Sequence, residues 1–228
     1  VQSGNDACVA LAEAVAGSEE AFAQLMNREA ARLGMKSSRF ANASGLPDAQ
    51  HYSTARDLAL LAMALVRDFP EQYAQYYSMR EYRYNNITQM NRNRLLWLDA
   101  SVDGMKTGYT EAAGYCLVAS SKRGPRRMLS VLLGSSSEAT RAQESQKLLN
   151  WGFLFFDSVK LYEKGQAVRS IEVYKGAARE VKAGVANDLY VSVPKGGADK
   201  LKVELLTQQP LSAPIAAGQR LGTLRVAL

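Results

Sequence analysis

Apolar and polar residues in the first part of the chain recur with the spacing of amphipathic helices. Residues 6–16 are rich in Ala, Val and Leu and stop at Gly17, which predicts a short buried helix. Ser18 is suited to cap a second helix over residues 19–33, which has acidic residues in its first turn and Gly34 after its last. The pattern therefore predicts a pair of helices at the start of the chain.

Further helical segments alternate with a loop. The turn-forming residues of 40–53 predict a loop, and Thr54 predicts the N-cap of a third helix over residues 55–67. A short helical stretch opened by a proline is expected at 70–77. Residues 137–156 predict a long helix with several large apolar side chains, which we expect to pack across a sheet.

The spacing of apolar residues changes from a helical to a strand-like period in the middle of the chain, where Gly and Pro separate runs typical of strands. Three antiparallel strands are expected over residues 105–110, 114–121 and 127–134, joined by tight turns. The more polar stretch before them, residues 82–98, predicts one short strand and a long excursion that leads to Trp97.

Beyond residue 159, short β-branched runs lie between Gly, Pro, Asn and Asp and predict an all-β domain. The expected strands cover residues 170–174, 180–185, 189–193, 201–206 and 221–226. We therefore predict two domains. Residues 1–157 form a mixed α/β (α+β) domain with an antiparallel sheet and flanking helices, and residues 158–228 form a small all-β domain.

The composition is that of a globular chain: 228 residues, 47% hydrophobic and 22% charged, with a net charge of +6. Lys and Arg are scattered, and their densest cluster flanks a predicted turn at Gly124-Pro125. A nucleic-acid site shows a basic stripe and a recognisable motif, so we expect no nucleic-acid partner. No apolar run is long enough to span a bilayer, and the first residues do not predict a signal peptide.

Cysteine and histidine are scarce. Cys8 and Cys116 each lie in an apolar run, which favours two buried free thiols over the one disulfide that two cysteines allow. His51 is the only histidine, so a His-based metal site and a Ser-His-Asp triad are both disfavoured. We expect no metal and no other cofactor.

Two short motifs carry the candidate chemistry. Ser3-Gly4-Asn5 precedes the first predicted helix, and Lys106-Thr107-Gly108 opens the first of the three antiparallel strands. Alone, the first motif is equally typical of a helix N-cap turn and the second of a solvent-facing edge strand. Their order and contexts match the second and third motifs of the penicillin-recognising serine acyl-transferases.

A third motif, Ser192-Val193-Pro194-Lys195, also has a Ser followed three residues later by Lys. It lies in the predicted all-β domain, and Pro194 disfavours the helical turn that would bring both side chains to one face. We do not expect it to hold a nucleophile.

The chain resembles the low-molecular-mass penicillin-binding proteins, which are type-5-like D-alanyl-D-alanine carboxypeptidases. The matching stretches run through almost the whole chain: Ser3-Gly4-Asn5-Asp6-Ala7, Ser44-Gly45-Leu46, His51-Tyr52-Ser53-Thr54-Ala55, Asn91-Arg92-Asn93, Leu95-Leu96-Trp97, Val102-Asp103-Gly104-Met105-Lys106-Thr107-Gly108-Tyr109-Thr110, Ala113-Gly114-Tyr115, Arg141 and Leu148-Leu149-Asn150-Trp151-Gly152-Phe153. The resemblance implies a transpeptidase/β-lactamase-like sheet domain followed by a small β-rich domain.

It also implies segments outside this sequence. The family's Ser-x-x-Lys motif, which holds the nucleophile, is expected upstream of Ser3, and a C-terminal amphipathic membrane helix is expected beyond Leu228. We therefore expect both domains to be incomplete. The first domain is expected to pair with its own N-terminal segment and not to fold stably without it.

The resemblance implies three catalytic residues. Ser3 would relay a proton to the leaving D-alanine, because a hydroxyl donates and accepts at once. Asn5 would hold the substrate amide and orient the base, and Lys106 would supply positive charge.

It implies a substrate site from Thr107, Gly108, Tyr109, Arg141 and Arg92. Thr107 and Arg141 would bind the terminal carboxylate, with Arg92 as a second cation. Gly108 would allow close approach of the substrate, and the Tyr109 N–H would be half of the oxyanion hole.

Plainer roles exist for some charged residues. Arg141 can pair with Glu138 or Glu144, each three residues away on a helix, and Arg92 can form a loop salt bridge. Asp57 is expected at a helix surface, where it offsets the helix dipole.

The implied function is a serine-type D-Ala-D-Ala carboxypeptidase that acts on the peptidoglycan stem peptide in the periplasm, peripheral to the inner membrane, and is acylated by β-lactams. One alternative is a β-lactamase, which needs an added Glu and a positioned water for deacylation; no Glu-x-x-Leu-Asn pattern is present. The other is an inert peptidoglycan- or penicillin-binding scaffold.

Overall fold

The computed structural model describes residues 1–207 and 209–228. These residues divide into two compact units, Val1–Gly152 and Phe153–Leu228. The predicted domain boundary between residues 157 and 158 stays a prediction. No helix in the described ranges is both long and apolar enough to cross a bilayer.

The first unit begins with the predicted helical pair, α1 (Asn5–Ala16) and α2 (Glu19–Leu33). Their caps follow the sequence: Ser18 Oγ accepts from the Ala21 amide at 3.1 Å, and Gly34 ends α2 with φ of 79°. The expectation that α1 is buried is wrong, since Ala12 is its only buried residue. Apolar content favours burial, but the neighbours that a helix meets decide which of its residues are covered.

Helices α3 (Ala55–Asp68) and α4 (Pro70–Tyr76) follow the loop. Thr54 caps α3, as predicted, but Asp57 is not a surface residue, because it is only 3% exposed. Its carboxylate accepts from the Ser37 amide at 2.8 Å and the Ser38 hydroxyl at 2.7 Å. These bonds replace the water that a buried carboxylate loses, and they tie the preceding loop to the start of α3.

The stretch predicted as one strand and an excursion is instead a complete hairpin and a short helix. Strands β1 (Glu81–Tyr84) and β2 (Ile87–Met90) pair antiparallel and are followed by α5 (Leu95–Leu98). Asn85 and Asn86 have φ of 48° and 59°, the left-handed conformation that a two-residue hairpin turn requires. The Asn-Asn pair was the missed signal.

The central sheet consists of β3 (Val102–Thr110), β4 (Gly114–Arg123) and β5 (Arg126–Ser135), antiparallel and in chain order. The register places Lys106 opposite Val118 and Gly108 opposite Cys116. All three strands were predicted. Each predicted strand is shorter than the observed one by one to three residues at one or both ends. Helix α6 (Glu138–Phe155) follows the sheet, also as predicted.

Two apolar clusters fix this sheet between layers of helices. One joins it to α5 and α6 and contains the buried residues Leu95, Leu96, Val102, Leu117, Ala119, Ala142 and Leu149. The other joins it to α3 and α4 through Ala62, Tyr73 and Met105. Burial of both faces makes the sheet a rigid base for the side chains at its β3 edge.

The second unit consists almost entirely of short strands: β6 (Phe156–Tyr162), β7 (Ala167–Tyr174), β8 (Glu180–Gly184), β9 (Leu189–Pro194), β10 (Lys202–Thr207), β11 (Leu211–Ser212) and β12 (Gly222–Ala227). They form the sheets β6–β9, β11–β7–β8 and β10–β12. The five predicted strands are present. Sequence reasoning missed β6, which follows α6 without a turn signal, and the two-residue β11.

Candidate active site

The two motifs singled out from the sequence meet in space. Lys106 Nζ donates to Ser3 Oγ at 3.1 Å, although the residues are 103 positions apart, and it also donates to the carbonyl of Thr107. Both side chains keep access to solvent. The contact places an ammonium beside a hydroxyl, so the ammonium donates to the serine oxygen and the hydroxyl keeps its own proton for another acceptor.

Backbone geometry sets Ser3 in this position. It has φ of 60°, unusual for a residue other than glycine, and it directly precedes Gly4, the N-cap of α1. Asn5 is the first residue of α1, with an exposed side chain two positions from Ser3. Lys106, for its part, is held by the ladder between β3 and β4.

Lys106 lies in a strongly cationic surrounding. Crowding of its ammonium by protein atoms lowers the pKa of Lys106, and the positive charges of Arg92 and Arg141 lower it further, while Cys8 acts in the opposite direction. A cation in this position attracts an anionic group, because three positive charges lie close together and only partly in contact with water.

Arg141 is the most deeply buried of these cations, at 3% exposure. Its Nη2 donates to the Arg92 carbonyl at 3.3 Å and lies 3.8 Å from the carboxylate of Glu138. Burial lowers the pKa of Arg141, and Glu138 partly offsets that effect. Of the two plainer partners expected from the sequence, Glu138 is near Arg141, whereas Glu144 binds Lys147 at 2.7 Å.

Tyrosines on β3 and β4 lie against Arg141. The Arg141 guanidinium is 5.7 Å from the ring centre of Tyr115, whose ring is 4.4 Å from that of Tyr109. Thr107 is buried, and a methyl group added at Gly108 would meet nothing closer than the Cβ of Cys116 at 3.9 Å. The site therefore combines the Lys106 ammonium and the Tyr109 ring of β3 with the Tyr115 ring of β4 and the Arg141 guanidinium of α6.

Arg92 is exposed and its Nη2 donates to Gln2 Oε1 at 3.1 Å. Asparagines hold the segment on both sides of it. Asn91 donates to the Met79 carbonyl at 2.8 Å, and buried Asn93 donates to the Gly104 carbonyl at 3.0 Å. Asn93 thus anchors the Arg92 loop to the strand that carries Lys106.

An apolar cavity of about 330 Å³ adjoins this site on the α3 side of the sheet. Leu58, Leu61 and Leu65 of α3 line one wall, and Lys106, Thr107 and Val118 are among the residues of the other. A cavity with this lining suits apolar side chains better than water.

Comparison with known proteins settles the family. Residues 1–137 match the family described as D-alanyl-D-alanine carboxypeptidase. The chain belongs to this family. Residues 156–228 match the domain described as "Penicillin-binding protein 5, C-terminal domain".

Individual members are similar along the whole chain. The D-alanyl-D-alanine carboxypeptidase DacC of Escherichia coli is 46% identical over 226 residues, which are 98% of this chain and 56% of that protein. Penicillin binding protein 5 from Haemophilus influenzae superposes with a TM-score of 0.86 at 41% identity, covering 99% of this chain and 66% of that one. A structure of penicillin-binding protein D2 from Listeria monocytogenes in its cefotaxime-bound form has a TM-score of 0.61 at 34% identity, covering 66% of this chain and 62% of that one.

The chain spans little more than half the length of the curated relatives it matches. The resemblance drawn from the motifs and the predicted fold class are confirmed. The catalytic and binding roles assigned to single residues stay predictions.

Sequence reasoning missed the residues that hold the site together. Tyr115 and Gln2 contact Arg141 and Arg92 directly, and Asn93 ties the Arg92 loop to Gly104 on β3. Asn93 and Tyr115 lie in the stretches that resemble the family, but no role was predicted for them, and nothing in the sequence marked Gln2. The spacing Asn-Arg-Asn was the available signal for Asn93. Their roles depend on contacts across 11 to 90 positions of sequence, which a local pattern does not show.

The residues disfavoured from the sequence lie elsewhere. His51 accepts from the Ala41 amide at 3.3 Å and packs edge-on against Phe40. Ser192 lies on β9, which ends at Pro194, and Lys195 follows the end of the strand rather than lying one helical turn away.

Cys8 and Cys116 are both free, as predicted, but half-buried rather than buried. Within residues 1–207 and 209–228, no group of three or more His, Cys, Asp and Glu side chains could hold a metal ion.

Proposed function

We propose that the protein carrying this chain is a serine-type D-Ala-D-Ala carboxypeptidase that removes the terminal D-alanine from the peptidoglycan pentapeptide through an acyl-enzyme. The observation that carries the proposal is the 3.1 Å hydrogen bond from Lys106 to Ser3, which joins two motifs of a serine acyl-transferase site. Membership of the carboxypeptidase family supports the same activity.

The reaction would use the residues of this chain in the following way. A serine of an upstream Ser-x-x-Lys motif attacks the carbonyl carbon of the D-Ala-D-Ala bond, and the lysine of that motif takes its proton. The Tyr109 N–H stabilises the oxyanion. Ser3 passes the proton to the departing D-alanine nitrogen, with Asn5 and Lys106 orienting the groups, and water then hydrolyses the ester.

The cationic cluster would select a substrate with a free carboxylate. Arg141 and Thr107 bind the terminal carboxylate of the stem peptide, and Arg92 and Lys106 add positive charge around it. The same contacts would bind the carboxylate of a β-lactam, which acylates the same serine. The relative from Listeria monocytogenes solved in a cefotaxime-bound form supports β-lactam binding.

The apolar cavity beside Lys106 supports pairing with an N-terminal segment. We propose that apolar side chains of the helix with the Ser-x-x-Lys motif enter it, because Leu58, Leu61 and Leu65 offer an apolar wall that they would cover. We further propose a periplasmic location, peripheral to the inner membrane through a C-terminal amphipathic helix.

The decisive experiment is to label the full-length protein with a fluorescent penicillin and map the labelled peptide by mass spectrometry, with D-alanine release from pentapeptide measured in parallel. Label on an upstream Ser-x-x-Lys peptide, together with D-alanine release, is expected. Ser192→Ala is the matched control and should label normally.

Other results would favour the alternatives. Label that is lost within seconds would indicate a β-lactamase, because rapid hydrolysis of the acyl-enzyme is the step that a β-lactamase must catalyse. A folded protein that takes no label and releases no D-alanine would indicate an inert scaffold.

A further inference from the structure

The hairpin β1–β2 exposes an aromatic face to solvent. The register pairs Tyr82 with Gln89 and Tyr84 with Ile87, so these four side chains share one face. Tyr82, Tyr84 and Ile87 are 48%, 72% and 61% exposed. Within residues 1–207 and 209–228, β1 and β2 pair only with each other. A two-stranded hairpin is marginally stable in water, and large exposed apolar side chains do not stabilise it.

This face is uncharged, whereas the opposite one is not. Glu81 and Arg83 alternate with the tyrosines and therefore lie on the other face, together with Thr88. The tyrosine face presents two aromatic rings, two hydroxyls and the Gln89 amide, and no acid or base. Such a surface suits a neutral ligand that has both apolar C–H groups and hydrogen-bonding groups.

The hairpin is connected to the candidate active site by hydrogen bonds. Gln2 Nε2 donates to the carbonyl of Met90, the last residue of β2, at 3.3 Å, and Gln2 Oε1 accepts from Arg92 at 3.1 Å. Gln2 directly precedes Ser3. The base of the hairpin is therefore joined through one side chain to the residue that precedes Ser3 and to Arg92.

We infer that the face formed by Tyr82, Tyr84, Ile87 and Gln89 binds the glycan part of the substrate, a polymer of neutral N-acetylated hexose rings. The inference rests on the proposed function, since it assumes a stem peptide at the site. The sugar rings stack their C–H faces on the two tyrosines, while the N-acetyl groups bond to the hydroxyls and the Gln89 amide. The cationic cluster holds the peptide carboxylate, and the hairpin holds the glycan to which the peptide is attached.

The test compares two substrates of the full-length protein: free pentapeptide and the same pentapeptide on its N-acetylated disaccharide. The variant Tyr82→Ser with Tyr84→Ser should lower kcat/KM for the disaccharide substrate by about tenfold, mainly through KM, and leave the free peptide within about twofold. The matched control is Glu81→Ser with Thr88→Ala, on the other face of the same hairpin, which should change neither. Tyr82→Phe with Tyr84→Phe should restore most of the loss.

Several results would overturn the inference. Equal losses on both substrates would assign the tyrosines to the geometry of the reacting centre, and no loss on either would remove the hairpin from substrate binding. Should the double serine variant lose its cooperative melting transition, Tyr84→Ser alone, at the most exposed position, gives the same comparison.

A binding measurement separates this inference from the proposed function. A tetramer of N-acetylglucosamine, titrated into the full-length protein and followed by calorimetry, should bind the wild type and not the double serine variant. If neither substrate releases D-alanine, the proposed function fails. The titration then still shows whether the face with Tyr82 and Tyr84 binds the sugar tetramer. No binding to the wild type, or a dimer in sedimentation that the serine variant abolishes, would refute a glycan site.

Discussion

The two hairpins of the first unit, β1–β2 and β3–β4, share antiparallel pairing and differ in nearly everything else. Every residue of β1 and β2 is exposed, whereas β3 and β4 contain buried residues such as Thr107 and Leu117. The first depends on its turn and its ladder, and the second on packing against two layers of helices. Pairing alone therefore does not decide rigidity; burial of the faces does.

The difference in burial suits the two hairpins to different roles, one in holding reacting groups in place and the other in contacting a large ligand. In the proposed mechanism, Lys106 and its neighbours need fixed positions, because the geometry of a reacting carbonyl tolerates small displacements poorly. They lie on the hairpin that is packed on both sides. The hairpin without packing presents side chains that a large ligand can reach. Substitutions in the two hairpins should therefore affect different measurements.

The largest expected effect is on activity. Arg141→Ala should lower kcat/KM for D-alanine release by about 100- to 1000-fold, because the proposed function assigns the buried Arg141 guanidinium to the terminal carboxylate of the substrate. Glu138→Gln is the control, because Glu138 is half exposed and only partly offsets the charge; a change below about threefold is expected. Steady-state kinetics on pentapeptide measure both variants. An Arg141→Ala protein with unchanged activity would show that Arg141 does not bind the substrate.

Stability distinguishes the two hairpins most directly. Leu117→Ala in β4 should reduce the free energy of unfolding by about 3 kcal/mol, since Leu117 is 1% exposed within the cluster that joins the sheet to α5 and α6. Tyr84→Ser in β1 should change it by less than about 0.5 kcal/mol. Urea unfolding of the full-length protein measures both. Similar losses in the two variants would mean that the exposed hairpin is packed after all.

A smaller loss of stability is expected at the start of β3. A methyl group at Gly104 would lie 2.3 Å from the hydroxyl of Tyr73, which donates to Asp103 at 3.1 Å. Gly104→Ala should therefore cost about 2 kcal/mol in the free energy of unfolding. Gly108→Ala, with open space at the same strand, is the matched control for urea unfolding. An unaffected Gly104→Ala protein would show that Tyr73 moves aside freely.

The smallest effect is a displacement of the pH profile. Arg92 lowers the pKa of Lys106, so Arg92→Gln should raise that pKa and move the alkaline limb of the kcat/KM profile to higher pH. The lowered pKa also affects stability. Below the folded-state pKa, the protonated Lys106 lowers the free energy of unfolding, and this loss disappears as the pH rises from the folded-state pKa to the unfolded-state pKa. Arg94→Gln is the control on the same loop. A limb that stays fixed would show that another group sets it.

Local patterns were sufficient for much of the fold. Ser18, Thr54 and Gly34 marked helix ends, and alternation marked the strands of the central sheet. They were insufficient for α1, whose Leu11 and Val15 are 65% and 67% exposed despite its apolar sequence. They also failed for Asp57, because the Ser37 and Ser38 groups that satisfy its carboxylate lie 20 and 19 positions away.

The sequence by itself determined the family, the two motifs and the order of most helices and strands, because each depends on residues that are neighbours in the chain. Only the tertiary structure decided that Lys106 bonds Ser3, that Asn93 anchors the Arg92 loop, and that the Tyr82 and Tyr84 face is left open to solvent. These facts depend on which distant segments meet. Packing of the whole unit fixes that, since side-chain contacts across a sheet and between layers add up over many residues.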